Sequence, residues 1–220
     1  MQRRFLHTTM MTSILFRLVS LSTSGLAREK IHLSRYLQYS ELARATRDLE
    51  IGLGPIASIS GSQRLCHEIG FHDNQIIRLN YPEFNITSLP FEDNYFSVCV
   101  ADQVLEHVES DPSCAFREIY RILKPGGYFI NATVMSYPIH YGPCDLWRFT
   151  PQGHQFLFES NSFVEVFSGT WGGRLALLFV SLGLGMINVP KAEWHPVKRL
   201  AENRGAQWPV VIWSIGQKMI

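Results

Sequence analysis

The 220-residue chain is short of most features that would place it in a special class. It has only four cysteines, Cys66, Cys99, Cys114 and Cys144, with no C-x-x-C pair and none at zinc-ligand spacing from a histidine pair. That pattern argues against a disulfide framework and gives no reason to expect a metal. The cysteines read as reduced thiols, which fits a reducing, cytoplasmic compartment. Charge of one sign is missing as well. Lys plus Arg number 20 and Asp plus Glu 19, so the net charge is +1 and nucleic acid is not an expected partner. No uncharged apolar run reaches the ~18 residues of a membrane span. The nearest, 175–189, is interrupted by Ser181, Gly183, Gly185 and Asn188. With 46% hydrophobic and 18% charged residues the composition is that of a globular protein, and disordered or collagen-like chains are excluded.

What is present begins with an N-terminal ambiguity. Residues 1–28 carry Arg3, Arg4, Arg17 and Arg28, several Ser and Thr, and no acid before Glu29. This is the outline of an organelle-targeting segment. It is equally that of a basic amphipathic helix, because Phe5, Leu6, Ile14, Leu15, Leu18, Val19 and Leu21 recur at roughly helical spacing. Such a helix would lie on the domain or on an anionic membrane surface, so peripheral membrane contact is an open expectation. The organisation expected is a basic extension over 1–45 followed by one domain over 46–220.

Beyond residue 45 the pattern alternates. Strands are expected at 48–54, 75–80, 95–101, 128–134, 163–167 and 208–215, and helices at 63–70, from 112 to about 124, at 151–159 and at 175–186. The run Phe96-Ser-Val-Cys-Val-Ala101 is apolar enough for a strand buried on both faces. Asp111-Pro112 is a helix start, with Asp beside the positive end and Pro in the first turn. Pro125-Gly126-Gly127 is its stop. Strands alternating with helices predict an α/β domain, a Rossmann-like, mostly parallel sheet flanked by helices on both faces. Trp171, Trp194, Trp208 and Trp213 are expected to close the core, and Lys198, Arg199 and Arg204 to form a solvated basic face.

Two sets of residues attract a chemical reading. Glu50-Ile51-Gly52-Leu53-Gly54 looks like a glycine-containing turn at the end of a first strand, where backbone can approach a ligand closely. Alone, G-x-G is weak. The stronger signal is a series of blocks in order: "LPFEDNYF" at 89–96, "LEHV" at 105–108 and "REIYRILKPGG" at 117–127. With these the chain resembles the class I S-adenosylmethionine-dependent methyltransferases, in particular the subgroup called methyltransferase type 11. The likeness covers roughly 48–135, and "DLWRFTPQG" at 145–153 is similar to an element of some members. A nicotinamide-dependent dehydrogenase fits less well, since it leaves "LKPGG" unaccounted for.

The resemblance implies a cofactor, S-adenosylmethionine, and roles for particular residues. Glu50, Gly52 and Gly54 would hold its methionine part. Asn80, at the end of the second strand, would face the ribose, with Glu83 as a nearby substitute, and Asn85 would face the adenine. Asp102 and Gln103, after the strand that the family numbers fourth, would line the cofactor floor. His107 of "LEHV" would chiefly pack and hydrogen-bond to hold its loop. The sequence departs from the pattern at Ile56, where a third glycine is usual, at Asn80 and Asn85, where carboxylates are common, and at Ser97. Charge-assisted hydrogen bonds are roughly twice as strong as neutral ones, so each amide weakens the expected binding. A small-molecule, lipid-linked or sugar acceptor is expected, with Tyr137, Tyr141, Asp145 and Arg148 lining its site and His140 as the candidate base, oriented by Asp145. Asp145 and Arg148, three apart, also fit a plain local ion pair. The alternative is a non-catalytic methyltransferase-like module that binds a partner or membrane. The sequence carries no signal for oligomeric state.

Overall fold

The apolar run ahead of Asp102 becomes the middle of a sheet because its side chains have protein on both sides. In the computed structural model, which describes residues 31–140 and 142–219, strand β3 (Phe96–Asp102) is buried from Phe96 to Ala101. It pairs in parallel with β1 (Ile56–Ile59) and with β4 (Leu123–Val134). β1 pairs in parallel with β2 (Ile76–Leu79), the edge strand. β6 (Pro209–Lys218) runs antiparallel to β4, and β5 (Phe163–Gly172) lies next, giving the order β2-β1-β3-β4-β6-β5. The sheet is therefore mixed, with three parallel pairs on one side. The expected targeting segment or basic helix at 1–28 and the expected site residue Tyr141 lie outside the described residues.

The described helices are α1 (Leu33–Ala45), α2 (Gln63–Glu68), α3 (Pro112–Ile122), α4 (Pro151–Ser160), α5 (Arg174–Ser181) and α6 (Pro196–Ala201). The boundary expected near residue 45 falls at the end of α1. The Asp111 carboxylate caps α3 by accepting from Ser113 N at 2.9 Å, with Pro112 in the first turn. α3 then buries Phe116 and Ile119 in a cluster with Phe129, Phe158 and Phe163. Phe116 meets Phe129, Phe158 and Phe163 edge-on, at centroid distances of 5.3, 4.9 and 6.2 Å, the arrangement that ring quadrupoles favour.

The chain divides into two compact units. One takes the chain up to Leu37, then Ser136–Pro138 and Trp171–Val210. The other takes Gln38–Met135, Ile139–Thr170 and the chain from Val211. In the first unit the expected helix at 175–186 is split: α5 ends at Ser181, Gly183 turns left-handed (φ 76°), and a single 3-10 turn follows at Leu184–Met186. Trp171 is fully buried there, with its indole N–H donating to the Leu200 carbonyl at 3.0 Å, but Trp194 and Trp208 are exposed. Lys198 is not part of a solvated face. Its ammonium is buried over the Tyr36 ring, 4.2 Å from the centroid, donates to the Tyr36 hydroxyl and pairs with Glu202 at 3.0 Å. Burial alone would lower its pKa, and these partners raise it instead. In the same unit Leu175, Leu178 and Met186 are exposed apolar residues. Among the described residues no helix is long and apolar enough to cross a membrane, and all four cysteines are free thiols.

Two expectations about elements of the larger unit are corrected. Residues 48–54 form no strand; the first strand begins at Ile56. One strand fewer than the family likeness implies precedes the "FSVCVAD" strand, so the strand the family numbers fourth is third here. The Pro125-Gly126-Gly127 segment does not separate helix from strand either. α3 stops at Ile122, β4 starts at Leu123, and 124–127 bulge out between the pairs Phe96↔Leu123 and Val98↔Tyr128.

Candidate active site

Ligands of open α/β sheets bind outside the carboxyl ends of the parallel strands. Here β1, β2 and β3 each end in a residue suited to a tight turn. β1 runs into Ser60-Gly61-Ser62, with Ser60 and Gly61 both left-handed (φ 44° and 85°), and α2 starts at once at Gln63. β2 ends at Leu79 and hands over to Asn80, whose side-chain oxygen accepts from Gly61 N at 3.0 Å. β3 hands over to Gln103, also left-handed (φ 59°), whose N–H donates to the Ala132 carbonyl at 2.8 Å. Around these turns lies a cavity of about 650 Å³, within the ordinary range for a small-molecule site. Ser60, Gly61, Asn80, Asn85, Gln103 and Glu109 give it polar groups; Tyr81, Phe84, Ile86, Val104 and Val108 give it apolar walls; His107, Gly142 and Pro143 complete the lining. Among the described residues, no atom beyond Gly61 and its two chain neighbours lies within 4 Å of where a Gly61 Cβ would stand, so backbone at that turn is open to a ligand.

The structure brings some of the expected cofactor residues together and separates others. Asn80, Asn85 and Gln103 line the one cavity. Glu50, Gly52 and Gly54 do not. They precede β1 and lie at the amino ends of the strands, the opposite edge from the cavity. A Cβ on Gly54 would stand 2.3 Å from Ser97 Oγ at the start of β3 and 2.7 Å from Lys124 Nζ at the start of β4. Lys124 in turn donates to the Leu53 carbonyl at 2.9 Å. The glycine is thus required by close packing against strand beginnings, and the turn that reaches the cavity is the one with Ser60 and Gly61. Ile56, in the place of a third glycine, is a buried β1 residue. Glu83 is on an exposed turn between Asn80 and Phe84 and is not in the lining.

Asp102 also stands one step back. Its Oδ1 accepts from Gln38 Nε2 and its Oδ2 from Tyr39 OH, both at 2.8 Å, while its N–H donates to Ser62 Oγ at 2.8 Å. The carboxylate therefore ties α1 to the end of β3, and the backbone N–H ties that end to the loop that carries Gly61. The Gln38 Oε1 atom is buried without a hydrogen-bond partner. Asn85 spends its side-chain oxygen on Thr87, accepting from N at 3.0 Å and from Oγ1 at 2.9 Å.

The expected acceptor loop is pinned to the segment that carries "LEHV". His107 Nδ1–H donates to the Cys144 carbonyl, the Cys144 thiol donates to the His107 carbonyl at 3.0 Å, and the Trp147 indole donates to the Val108 carbonyl at 2.9 Å. The side chain of Asp145 is 1% exposed and grips both Arg148 Nη atoms, with the Arg148 guanidinium holding its pKa down at about 2. It also accepts from His140 N at 2.9 Å. Neither Asp145 nor Arg148 is in the cavity lining; they shape the loop. Half-buried His140 has Nδ1 3.5 Å from Asp145 Oδ2 and Nε2 3.7 Å from Glu106 Oε1. Tyr137 belongs to the other unit, where a Cβ on Gly185 would stand 3.2 Å from its hydroxyl, and it does not line the cavity.

Below the strand ends runs a buried polar chain. Asn131 Nδ2 donates to the Ala101 carbonyl at 3.0 Å, which leaves its Oδ1 to accept from His154 Nε2 at 2.6 Å. The other ring nitrogen then accepts from the Ser214 hydroxyl at 3.1 Å. With no compensating charge, burial lowers the His154 pKa to about 3.

Residues 53–131 match the family described as "Methyltransferase domain". Over 97 residues the chain is 35% identical to the ubiquinone/menaquinone biosynthesis C-methyltransferase UbiE of Serratia proteamaculans, covering 40% of this chain and 38% of that one. Over 86 residues it is 36% identical to the uncharacterized protein YafE of Escherichia coli K12, covering 38% of each. The chain thus spans about two fifths of the length of these curated relatives. Among solved structures, it superposes on a SAM-dependent methyltransferase from Archaeoglobus fulgidus with a TM-score of 0.52 at 16% identity, covering 84% of this chain and 95% of that one. The [4+2]-cyclase SpnF gives a TM-score of 0.53 at 15% identity, covering 83% and 80%. These likenesses establish the fold. That a cyclase is among them shows why the reaction has to be argued from the site.

Proposed function

We propose that this chain, which carries a class I S-adenosylmethionine-dependent methyltransferase domain, binds S-adenosylmethionine in the 650 Å³ cavity and moves its methyl group to a small-molecule acceptor. The observation that carries the reading is the convergence of Gly61, Asn80, Asn85 and Gln103 from three strand ends on that cavity. The residues fit the cofactor. Phe84, Ile86, Val104 and Val108 offer apolar walls for a flat base, and the open backbone at Gly61 accepts a polar chain.

When bound, the cofactor supplies a methyl group already activated on a sulfonium. What remains for the protein is alignment and exclusion of water. Asn80 keeps Gly61 in place and presents its amide hydrogens, and Asp102 fixes the same loop from below. The loop 142–148, locked by the His107–Cys144 pair, closes the acceptor end. An acceptor that must lose a proton needs a base, and the role expected of His140 stays within this proposal, with Asp145 as its orienting partner. The UbiE relatives are named as C-methyltransferases of quinone biosynthesis, which supports a small organic acceptor.

Calorimetry of the full chain with S-adenosylmethionine and S-adenosylhomocysteine tests the reading. Saturable heat for both, lost on substitution of the apolar wall at Val104 by a charged residue, supports it. No heat at millimolar ligand overturns it and leaves a non-catalytic module. For that alternative the exposed Leu175, Leu178 and Met186 of the first unit are the supporting observation, and flotation with anionic vesicles is the measurement.

A further inference from the structure

We infer that Glu106, His107 and His140 form a binding site for a divalent transition-metal ion at the acceptor end of the cavity. The inference deepens the methyltransferase reading by assigning that end of the site to an oxygen-bearing acceptor. Each of the three offers a ligand atom, and these atoms all lie within 4.8 Å of one another. The Glu106 side chain is fully buried and that of His140 is one-third exposed, and of the three only His107 lines the cavity. One carboxylate with two histidines is a donor set for Zn²⁺, Mn²⁺ or Fe²⁺.

One ligand pair stands close to the spacing that an ion imposes. Glu106 Oε1 and His140 Nε2 are 3.7 Å apart, too far for a hydrogen bond. Two ligands each ~2.1 Å from a tetrahedral ion stand ~3.4 Å apart, so this pair needs to move by only a few tenths of an ångström. The rings of His107 and His140 are edge to face, with centroids 4.9 Å apart.

The orientation of each candidate ligand is fixed by its other polar atom. Glu106 Oε2 accepts from Thr133 Oγ1 at 2.9 Å, and Oε1 is the oxygen on the His140 side, 3.7 Å from Nε2. The Cys144 carbonyl takes the Nδ1 proton of His107, so the lone pair of that ring is on Nε2. The Asp145 carboxylate lies 3.5 Å from His140 Nδ1, beyond ordinary hydrogen-bonding distance, and its negative charge favours the proton on that nitrogen, with the lone pair on Nε2, the nitrogen nearer Glu106. Metal-binding histidines characteristically donate their second N–H to a carbonyl or carboxylate, as His107 does to Cys144. Three protein ligands leave coordination positions for an oxygen donor, and His107 is part of the cavity lining. An ion would occupy the His140 lone pair that a proton-accepting role requires, so the base role proposed for His140 belongs to the metal-free protein.

The test is metal binding by the full-length chain, stripped with chelator and titrated with Zn²⁺ and Co²⁺ in the absence of S-adenosylmethionine. One equivalent is expected at micromolar or tighter affinity, with visible Co²⁺ absorption. His140→Ala and Glu106→Gln should each weaken binding at least ~30-fold, and Thr133→Val about 10-fold, the usual range for loss of an orienting partner. Because a variant can fail to fold, the wild-type protein supplies a second readout: bound Co²⁺ should broaden two imidazole NMR signals among the eight histidines and spare the rest. Absence of binding at ~100 µM Zn²⁺, binding unchanged in a folded His140→Ala, or broadening of other histidines overturns the inference. A chain that takes the metal but gives no calorimetric signal with S-adenosylmethionine upholds this site and removes the methyl-donor reading; the reverse result does the opposite.

Discussion

Lowering the pH from 7.5 to 4.5 should destabilise the fold chiefly through one side chain, His154. It is 1% exposed, hydrogen-bonded to Asn131 and Ser214 as a neutral ring, and its pKa is about 3 in the folded state. In the unfolded chain it returns to about 6.5. Between those values the unfolded state takes up a proton that the folded state refuses, so stability rises with pH. The contribution is present in full above about 6.5 and is lost progressively as the pH falls toward 3. The slope is about 1.4 kcal/mol per pH unit, and the loss from pH 7.5 to 4.5 is about 3 kcal/mol, a large part of a typical folding free energy. Urea melts at half-unit intervals would read the slope directly. His154→Gln, which keeps a donor and an acceptor but cannot charge, should be less stable at pH 7.5 and nearly flat where the wild type falls steeply. If the two proteins lose stability in parallel between pH 6.5 and 4.5, the buried neutral histidine is not the cause and the reasoning fails.

Other outcomes follow from the site. Asn80→Asp restores a charged acceptor beside Gly61 N and should tighten S-adenosylmethionine binding about tenfold by calorimetry; unchanged or weaker affinity would count against a ribose-facing role. Gly61→Ala forces a side chain into a left-handed turn (φ 85°), at a cost of ~1–2 kcal/mol, and should weaken cofactor binding. Gly52→Ala, with nothing within 4 Å, should change neither stability nor affinity, and a binding defect there would restore the sequence-based placement of the cofactor. Arg148→Met leaves the Asp145 carboxylate buried without its guanidinium and should cost ~3 kcal/mol in urea denaturation, with Arg148→Lys recovering only part.

Much of the architecture could be read from the sequence because its signals are local. The 96–101 run, the Asp111-Pro112 start and the alternation of elements depend on neighbours in the chain. The first strand misled because Glu50-Ile-Gly-Leu-Gly54 has the outward form of a strand-end turn. The true strand is four residues long, and the Ser60-Gly61-Ser62 turn after it has a single glycine. What distinguishes the two is that Gly54 touches Ser97 and Lys124, contacts that only the register of the sheet creates. The signal that was available is the run Pro55-Ile-Ala-Ser-Ile59 directly ahead of Ser-Gly-Ser and a helix start. Asp102 was placed at the right strand end, but its commitment to Gln38 and Tyr39 is a long-range pairing that no spacing encodes. His107 as a hydrogen-bonding loop holder was legible. Its convergence with Glu106 and His140 was not, because His140 arrives from beyond β4.

The division into two units has a consequence for anyone cutting the gene. The backbone changes unit at Leu37/Gln38, Met135/Ser136, Pro138/Ile139, Thr170/Trp171 and Val210/Val211, so no contiguous fragment corresponds to either one. A truncation meant to isolate the cavity-bearing half would discard its terminal strand residues or keep orphaned pieces of the other half. Neither unit can therefore be expressed as one uninterrupted stretch of the chain.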